Sequence, residues 1–403
     1  MTDTATDTPL LLCGARLADG RTVDVRIGGT RIEAVGTAGS LTDGTRIDLG
    51  GYLLLPAPAE PHAHLDSALT AGCGGPPSYE PEDVQRRVTE AVLLQLGHGT
   101  TAIRTHVRIG DVAGLRALEA VLQARRALRG LAELDTVAVP RLLTGVAGAD
   151  GLAVLRDALK MGAGVVGGCP DLDPDPGGYV EILLGVADEF GLPVDLHTDG
   201  SDPARLARLA AMAGGLRPGV SIGPCGGLGR LPYEAVGRAA GQLAAAGVSV
   251  VALPQGGCAA LESRGPGHAP VAPVRALRAA GVRVAAGSGA LRDLANPVGR
   301  GDPLEAAFLL ASYGECGAAE AYDAVSGRAR AVLGLPEVRI EAGFPAELLA
   351  VRAERIEAAL SLAYSRIVIH RGRVVSRTSA VREFTDTLAL DLPRQARSRK
   401  DPA

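Results

Sequence analysis

Lysine is almost missing from this sequence. Of 41 basic residues only Lys160 and Lys400 are lysine, leaving 39 arginines, which with the wealth of alanine and glycine reads as coding bias rather than function. Excess positive charge is also missing. The formal net charge is −4, so neither nucleic acid nor an anionic membrane surface is an expected partner. No C-x-x-C pair occurs among Cys13, Cys73, Cys169, Cys225, Cys258 and Cys316. That argues against a disulfide framework or a thiolate zinc site and fits a reducing compartment, so a cytoplasmic location is expected. The first eight residues are polar and acidic, unlike a signal peptide. No apolar run approaches about 18 residues, so no membrane span is expected.

What is present is a large supply of core-forming residues. Hydrophobic residues make up 47% of 403 positions, too many for one small domain. Short β-rich segments come first, at 10–17, 23–27 and 31–35, separated by Asp19-Gly20 and Gly28-Gly29. From Leu53 the pattern alternates strand and helix. Candidate strands lie at 52–57, 100–107, 135–142, 163–168, 192–198, 219–224, 247–253 and 281–287, with helical periodicity between them, as at 81–96, 178–190 and 203–213. Eight such units argue for an α/β fold, a parallel (β/α)8 barrel of TIM type. β character returns after residue 340, at 346–350, 365–370 and 374–376. The economical arrangement is a small β-sandwich built from both termini (1–52 and 341–392), a barrel over 53–340, and a disordered polar tail over 393–403.

The chain is organised around Leu53-Leu-Leu-Pro-Ala-Pro-Ala-Glu-Pro-His-Ala-His-Leu-Asp66. In a strand, side chains two apart share a face, so His62 and His64 point the same way. Imidazole is the commonest side-chain ligand for zinc- or iron-type ions. Barrel chemistry sits at the C-terminal ends of the strands. The other strand ends offer Arg104, Thr105 and His106, then Arg141, then His197 and Asp199, and later Gln255. His62, His64 and His197 make a facial set for one divalent ion. His98, His268 and His370 are expected at the surface or in loops.

Four runs carry a resemblance: Glu60-Pro-His-Ala-His-Leu-Asp66, Arg104-Thr-His-Val107, Gly162-Ala-Gly-Val-Val-Gly-Gly-Cys-Pro170 and Asp195-Leu-His-Thr-Asp199. The chain resembles the cytosine deaminase branch of the amidohydrolase superfamily over roughly residues 10–380. The resemblance implies one zinc or iron held by the His-x-His pair, a histidine ending strand five and an aspartate ending strand eight. It implies a proton-shuttling glutamate three residues after the strand-five histidine, a supporting histidine ending strand six and a base-reading glutamine ending strand three. His62, His64 and His197 match the ligands. The other positions fall on Gly200, Pro224, Gly289 and Arg141.

These departures shape the expectation. A base is typically worth about 10²–10⁴-fold in rate, and glycine supplies none. Asp199 is the expected substitute for the proton shuttle, with Asp66 and Asp202 beside it. Asp202, before Pro203, also reads as a helix-capping acid. Arg141, Gln255 and His106 are the expected substrate-positioning residues, His106 from behind the ligands. A guanidinium at 141 favours a carboxylate or phosphate, so a small and anionic substrate is expected. The leading expectation is metal-assisted hydrolysis, a deamination, of a non-peptide C–N bond in a small cyclic amidine or amide other than cytosine. The alternatives are a catalytically silent binding or partner protein, and a lyase or isomerase step on the same scaffold. Assembly into homo-oligomers stays open.

Overall fold

The structure is a computed structural model, and it describes residues 8–73, 77–110, 112–256, 271–362 and 364–381. The tail expected over 393–403 and His268 lie outside these residues. Five strands open the chain: β1 (Leu10–Arg16), β2 (Thr22–Gly28), β3 (Arg31–Thr37), β4 (Thr45–Asp48) and β5 (Leu53–Pro56). Eight parallel strands follow: β6 (Ala59–Ala63), β7 (Ala102–Arg108), β8 (Glu133–Val139), β9 (Val165–Gly168), β10 (Val194–Thr198), β11 (Val220–Pro224), β12 (Ser249–Ala252) and β13 (Val284–Ala286). Three more close the chain: β14 (Leu348–Val351), β15 (Arg366–His370) and β16 (Arg373–Thr378).

The parallel strands pair in sequence order from β6 to β13, and a parallel bridge between Ala63 and Gly289 brings the two edges together. This is the expected barrel. Its strands are buried on both faces, as Val165–Gly168 and Ser249–Ala252 show, because helices cover the outside. Three of the described helices begin where an aspartate cap meets proline, at Asp175, Asp202 and Asp302. Asp202 caps Pro203–Ala213 by accepting from the amides of Ala204 and Arg205, as its sequence context suggested. Among the described residues no helix is long and apolar enough to cross a membrane.

Strands from both termini form one mixed sheet, ordered β16-β15-β14-β5-β1-β2-β3, with β4 alongside β1. Here the structure departs from the sequence reading at one strand. The run at 52–57, read as the first barrel strand, belongs to the terminal sheet, where Leu53–Pro56 pairs antiparallel with Leu348–Val351. The barrel opens instead at Ala59. The ladder runs through Pro56, opposite Leu348, and ends after the Ala57 amide donates to the Glu347 carbonyl; Pro58, which carries no N–H, then separates β5 from β6. His370 also departs from expectation. It is buried, with Nδ1 2.8 Å from Glu347 Oε2.

One buried ion pair ties sheet to barrel. Arg366, at the start of β15, grips Asp302 with Nη1 at 2.9 Å and Nη2 at 2.7 Å, and donates also to the His98 carbonyl. Asp302 in turn caps the helix Pro303–Ser312. Burial alone would raise the Asp302 carboxyl, but the hydrogen bonds and charge of Arg366 outweigh it and hold the group below the usual carboxylate range. Replacing Asp302 by alanine leaves a guanidinium only 5% exposed without its counter-charge. Asp302→Ala is expected to lower the unfolding free energy by about 3–5 kcal/mol in urea titrations at pH 7. Because the folded pKa is depressed, the wild-type advantage is complete above the ordinary aspartate value. It fades as the pH falls through the lowered one. A loss below about 1 kcal/mol at pH 7 would show that the pair contributes little beyond its desolvation cost.

Candidate metal centre at the barrel mouth

β6 delivers His62 and His64, and β10 delivers His197. The Nε2 atoms of His62 and His197 lie 2.8 Å apart, and those of His64 and His197 lie 3.3 Å apart. All three rings are buried. His106, near the end of β7, stacks beside them, its ring centroid 4.1 Å from that of His62 and 4.9 Å from that of His197.

Beneath the rings lies Asp195, fully buried two residues before His197. Its Oδ2 accepts from Arg104 Nη1 at 3.1 Å and from Ser221 Oγ at 2.9 Å. Its Oδ1 faces His106 Nε2 at 3.2 Å, and His106 Nδ1 faces the Ala63 carbonyl at 3.3 Å. Burial opposes the charge on Asp195, but His106 and Arg104 outweigh it and bring its pKa down to about 2. One carboxylate thus links β7, β10 and β11, and fixes His106 behind the cluster.

The three converging rings suit a divalent ion. Burial, followed by the fields of neighbouring His106 and His197, holds His62 well below its ordinary pKa. Burial and His197 do the same for His64, and burial and His106 for His197. Neutral imidazoles are the ligand form. Three neutral ring nitrogens in mutual reach cannot all be satisfied by hydrogen bonds among themselves, whereas one cation accepts all three lone pairs. His62, His64 and His197 offer one nitrogen each within 4.8 Å of one another, as do His62, His106 and Asp195 as a second group. Asp195 is already committed to Arg104, Ser221 and His106, so the three-histidine set is the better site.

No carboxylate stands at positions 200 and 289, and both backbones are shaped for glycine. Gly200 has φ +70°, and a Cβ there would meet Leu228 Cγ at 3.2 Å and Cys225 Cα at 3.6 Å. Gly289 has φ +73°, and a Cβ would meet Leu253 Cδ1 at 3.1 Å. Pro224 ends β11 opposite Thr198.

A cavity of about 430 Å³ is lined among others by Asp66, two residues beyond His64, and by Tyr79, Arg108 and Arg141. Arg141 is therefore at a cavity wall. Asp199 lies elsewhere: its Oδ1 accepts from the Gly227 amide at 2.9 Å, and its own amide donates to Asp171 at 3.0 Å. Gln255 is turned away too, with Nε2 donating to Glu305 at 2.6 Å. Asp66 lines the cavity and is raised by burial, against the opposing charges of Arg108 and Arg87.

Two residues escaped the sequence reading. Arg108 ends β7 two positions after His106, so it rises toward the mouth on the same face. Glu60 is fully buried and accepts from the His62 amide at 3.0 Å and the Ser288 amide at 2.7 Å, so it clips β6 to the chain following β13. Burial pushes its carboxyl up to about 7. A glutamate inside a buried apolar strand was the available signal.

A family profile described as "Amidohydrolase family" matches residues 68–376. The chain is 30% identical over 319 residues to the pterin deaminase of Rhizobium rhizogenes, covering 75% of this chain and 71% of that protein. The structure of N-isopropylammelide isopropylaminohydrolase from Burkholderia multivorans superimposes with TM-score 0.80 at 28% identity, covering 93% of this chain and all of that one. The fold is shared with 5-methylcytosine deaminase from Klebsiella pneumoniae, at TM-score 0.79 and 24% identity over 94% of this chain and 99% of that one.

The left-handed backbone at residue 200 has a measurable consequence. Gly200→Ala is expected to cost about 1–2 kcal/mol from the φ alone, and Gly200→Glu at least as much, without restoring a shuttle. Thermal and urea unfolding of both variants would check this. A neutral Gly200→Ala would mean that the loop re-forms without left-handed backbone.

Proposed function

This chain belongs to the amidohydrolase family, and from that premise we propose that it is a metal-assisted hydrolase of the deaminase type, cleaving a C–N bond in a small cyclic amidine or amide. The observation that carries the reading is the convergence of three neutral, buried imidazoles at the C-terminal mouth of the barrel. The names of the relatives, a pterin deaminase and an isopropylaminohydrolase, support the same bond type.

In this reading His62, His64 and His197 would hold the ion, zinc or iron. A divalent ion there supplies Lewis acidity and lowers the pKa of a water into the neutral range. The residues do the rest. Asp195 and Arg104 keep His106 against the back of the cluster, where it restricts how the ligand rings can turn. Arg141 orients the substrate from the cavity wall. In this reading a carboxylate would carry the proton from water to the leaving nitrogen. Asp199 and Asp66 are the candidates, and geometry favours Asp66, since it lines the cavity while Asp199 is held by Gly227.

One observation favours a rival reading, a catalytically silent binding protein. Positions 200 and 289 carry no carboxylate, and their loops are built around glycine. Metal analysis of the purified, unchelated protein separates the two. The hydrolase reading expects near one equivalent of zinc or iron per chain, lost on His64→Ala, with ammonia or amine released from cyclic amidines. Asp66→Asn is expected to lower that rate by about 10²–10⁴-fold, and Asp199→Asn by less. Failure to bind metal even after reconstitution would leave the silent reading standing.

A further inference from the structure

β7 and β8 run side by side with Arg108 opposite Val139, and the Ile109 amide donates to the Val139 carbonyl at 3.0 Å. Arg141 follows Val139 by two residues. The two arginines therefore leave adjacent strand ends, and both line the 430 Å³ cavity, with Asp66, Tyr79, Cys169 and Leu172. Gly110 makes room for the stem of Arg141, since a Cβ there would sit 3.1 Å from Arg141 Cβ. Among the described residues neither guanidinium has a hydrogen-bond or ion-pair partner, whereas Arg104 and Arg366 are both paired with buried aspartates.

We propose that Arg108 and Arg141 form an oxyanion subsite, so that the substrate is a heterocycle carrying a carboxylate or phosphate on the edge remote from His62, His64 and His197. The proposal rests on the hydrolase reading only in taking this cavity as the substrate's seat. An arginine offers donors and no acceptor, so it cannot read a ring N–H; it requires an oxygen acceptor, and an anionic one best. Two guanidiniums at one mouth, facing the single acid Asp66 among the lining residues, also disfavour a cationic occupant. Asp66, two residues beyond His64, lines the same cavity, so a substrate anchored at Arg108 and Arg141 would extend from there toward the histidine strand. The volume falls in the lower part of the usual range for small-molecule sites, about 300–1,000 Å³.

The test is equilibrium binding to the protein as purified, at low salt, using two matched pairs: pterin-6-carboxylate against pterin, and cytosine-5-carboxylate against cytosine. In at least one pair the carboxylated member is expected to bind tighter by about tenfold or more. That ratio is expected to fall toward one in Arg108→Gln/Arg141→Gln, and Arg141→Lys is expected to keep part of it. Inorganic phosphate competing below benzoate's concentration would point to a phosphoryl substituent, and the reverse order to a carboxylate. No carboxylate preference in either pair, or a preference that survives loss of both arginines, overturns the subsite. A clear preference in protein that binds no metal and releases no ammonia would sink the hydrolase reading alone. Hydrolysis of the neutral members with no preference would sink this inference alone.

Discussion

The site depends on one buried carboxylate. Asp195 sits in the barrel interior, where an ionised group survives only if nearly every lone pair is met. Arg104 and His106 from one strand, and Ser221 from another, meet it. Satisfying the charge therefore fixes the relative heights of three strands. Side chains alternate along a strand, so the height that seats Asp195 also presents His197 at the mouth, two residues on. The clustered rings follow from the register that the ion network requires. Glu60 acts similarly on the other side, tying the histidine strand to the chain beyond β13 through Ser288.

Much of this was legible in the sequence. Eight apolar segments at regular spacing imply the barrel, and period-two alternation places His62 and His64 on one face. Barrel geometry then brings His197 to them. What stayed hidden was decided by long-range pairing. Leu53–Pro56 reads as a barrel strand until its partner Leu348–Val351 claims it. His370 looks like a loop residue until Glu347 is found beside it. Gln255 lies three residues beyond β12, and Glu305, on a helix fifty residues on, takes its amide. Arg108 was passed over because nothing in the sequence distinguishes it among 39 arginines; only the missing partner among the described residues does.

The glycines at 200 and 289 refine what the departures from the family pattern mean. Each sits in left-handed backbone with a leucine side chain closing over it. The backbone at both strand ends is thus packed around the smaller residue. The cavity is walled by Arg108 and Arg141, with Asp66 the single acid among its lining residues.

The sharing of β5 between the first barrel strand's approach and the terminal sheet bears on how the chain is made. β5 waits for β14, about 290 residues downstream. At ribosomal rates of ~5–20 residues per second, that is roughly 15–60 s in which the amino-terminal strands have been synthesised but the carboxy-terminal half of their sheet has not. Throughout that interval an apolar strand edge, adjacent to the histidine pair, stands open to pairing with other nascent chains. Any slowing of translation over the barrel would lengthen the exposure, which makes synthesis tempo, and not only sequence, a determinant of how much correctly assembled protein a cell obtains.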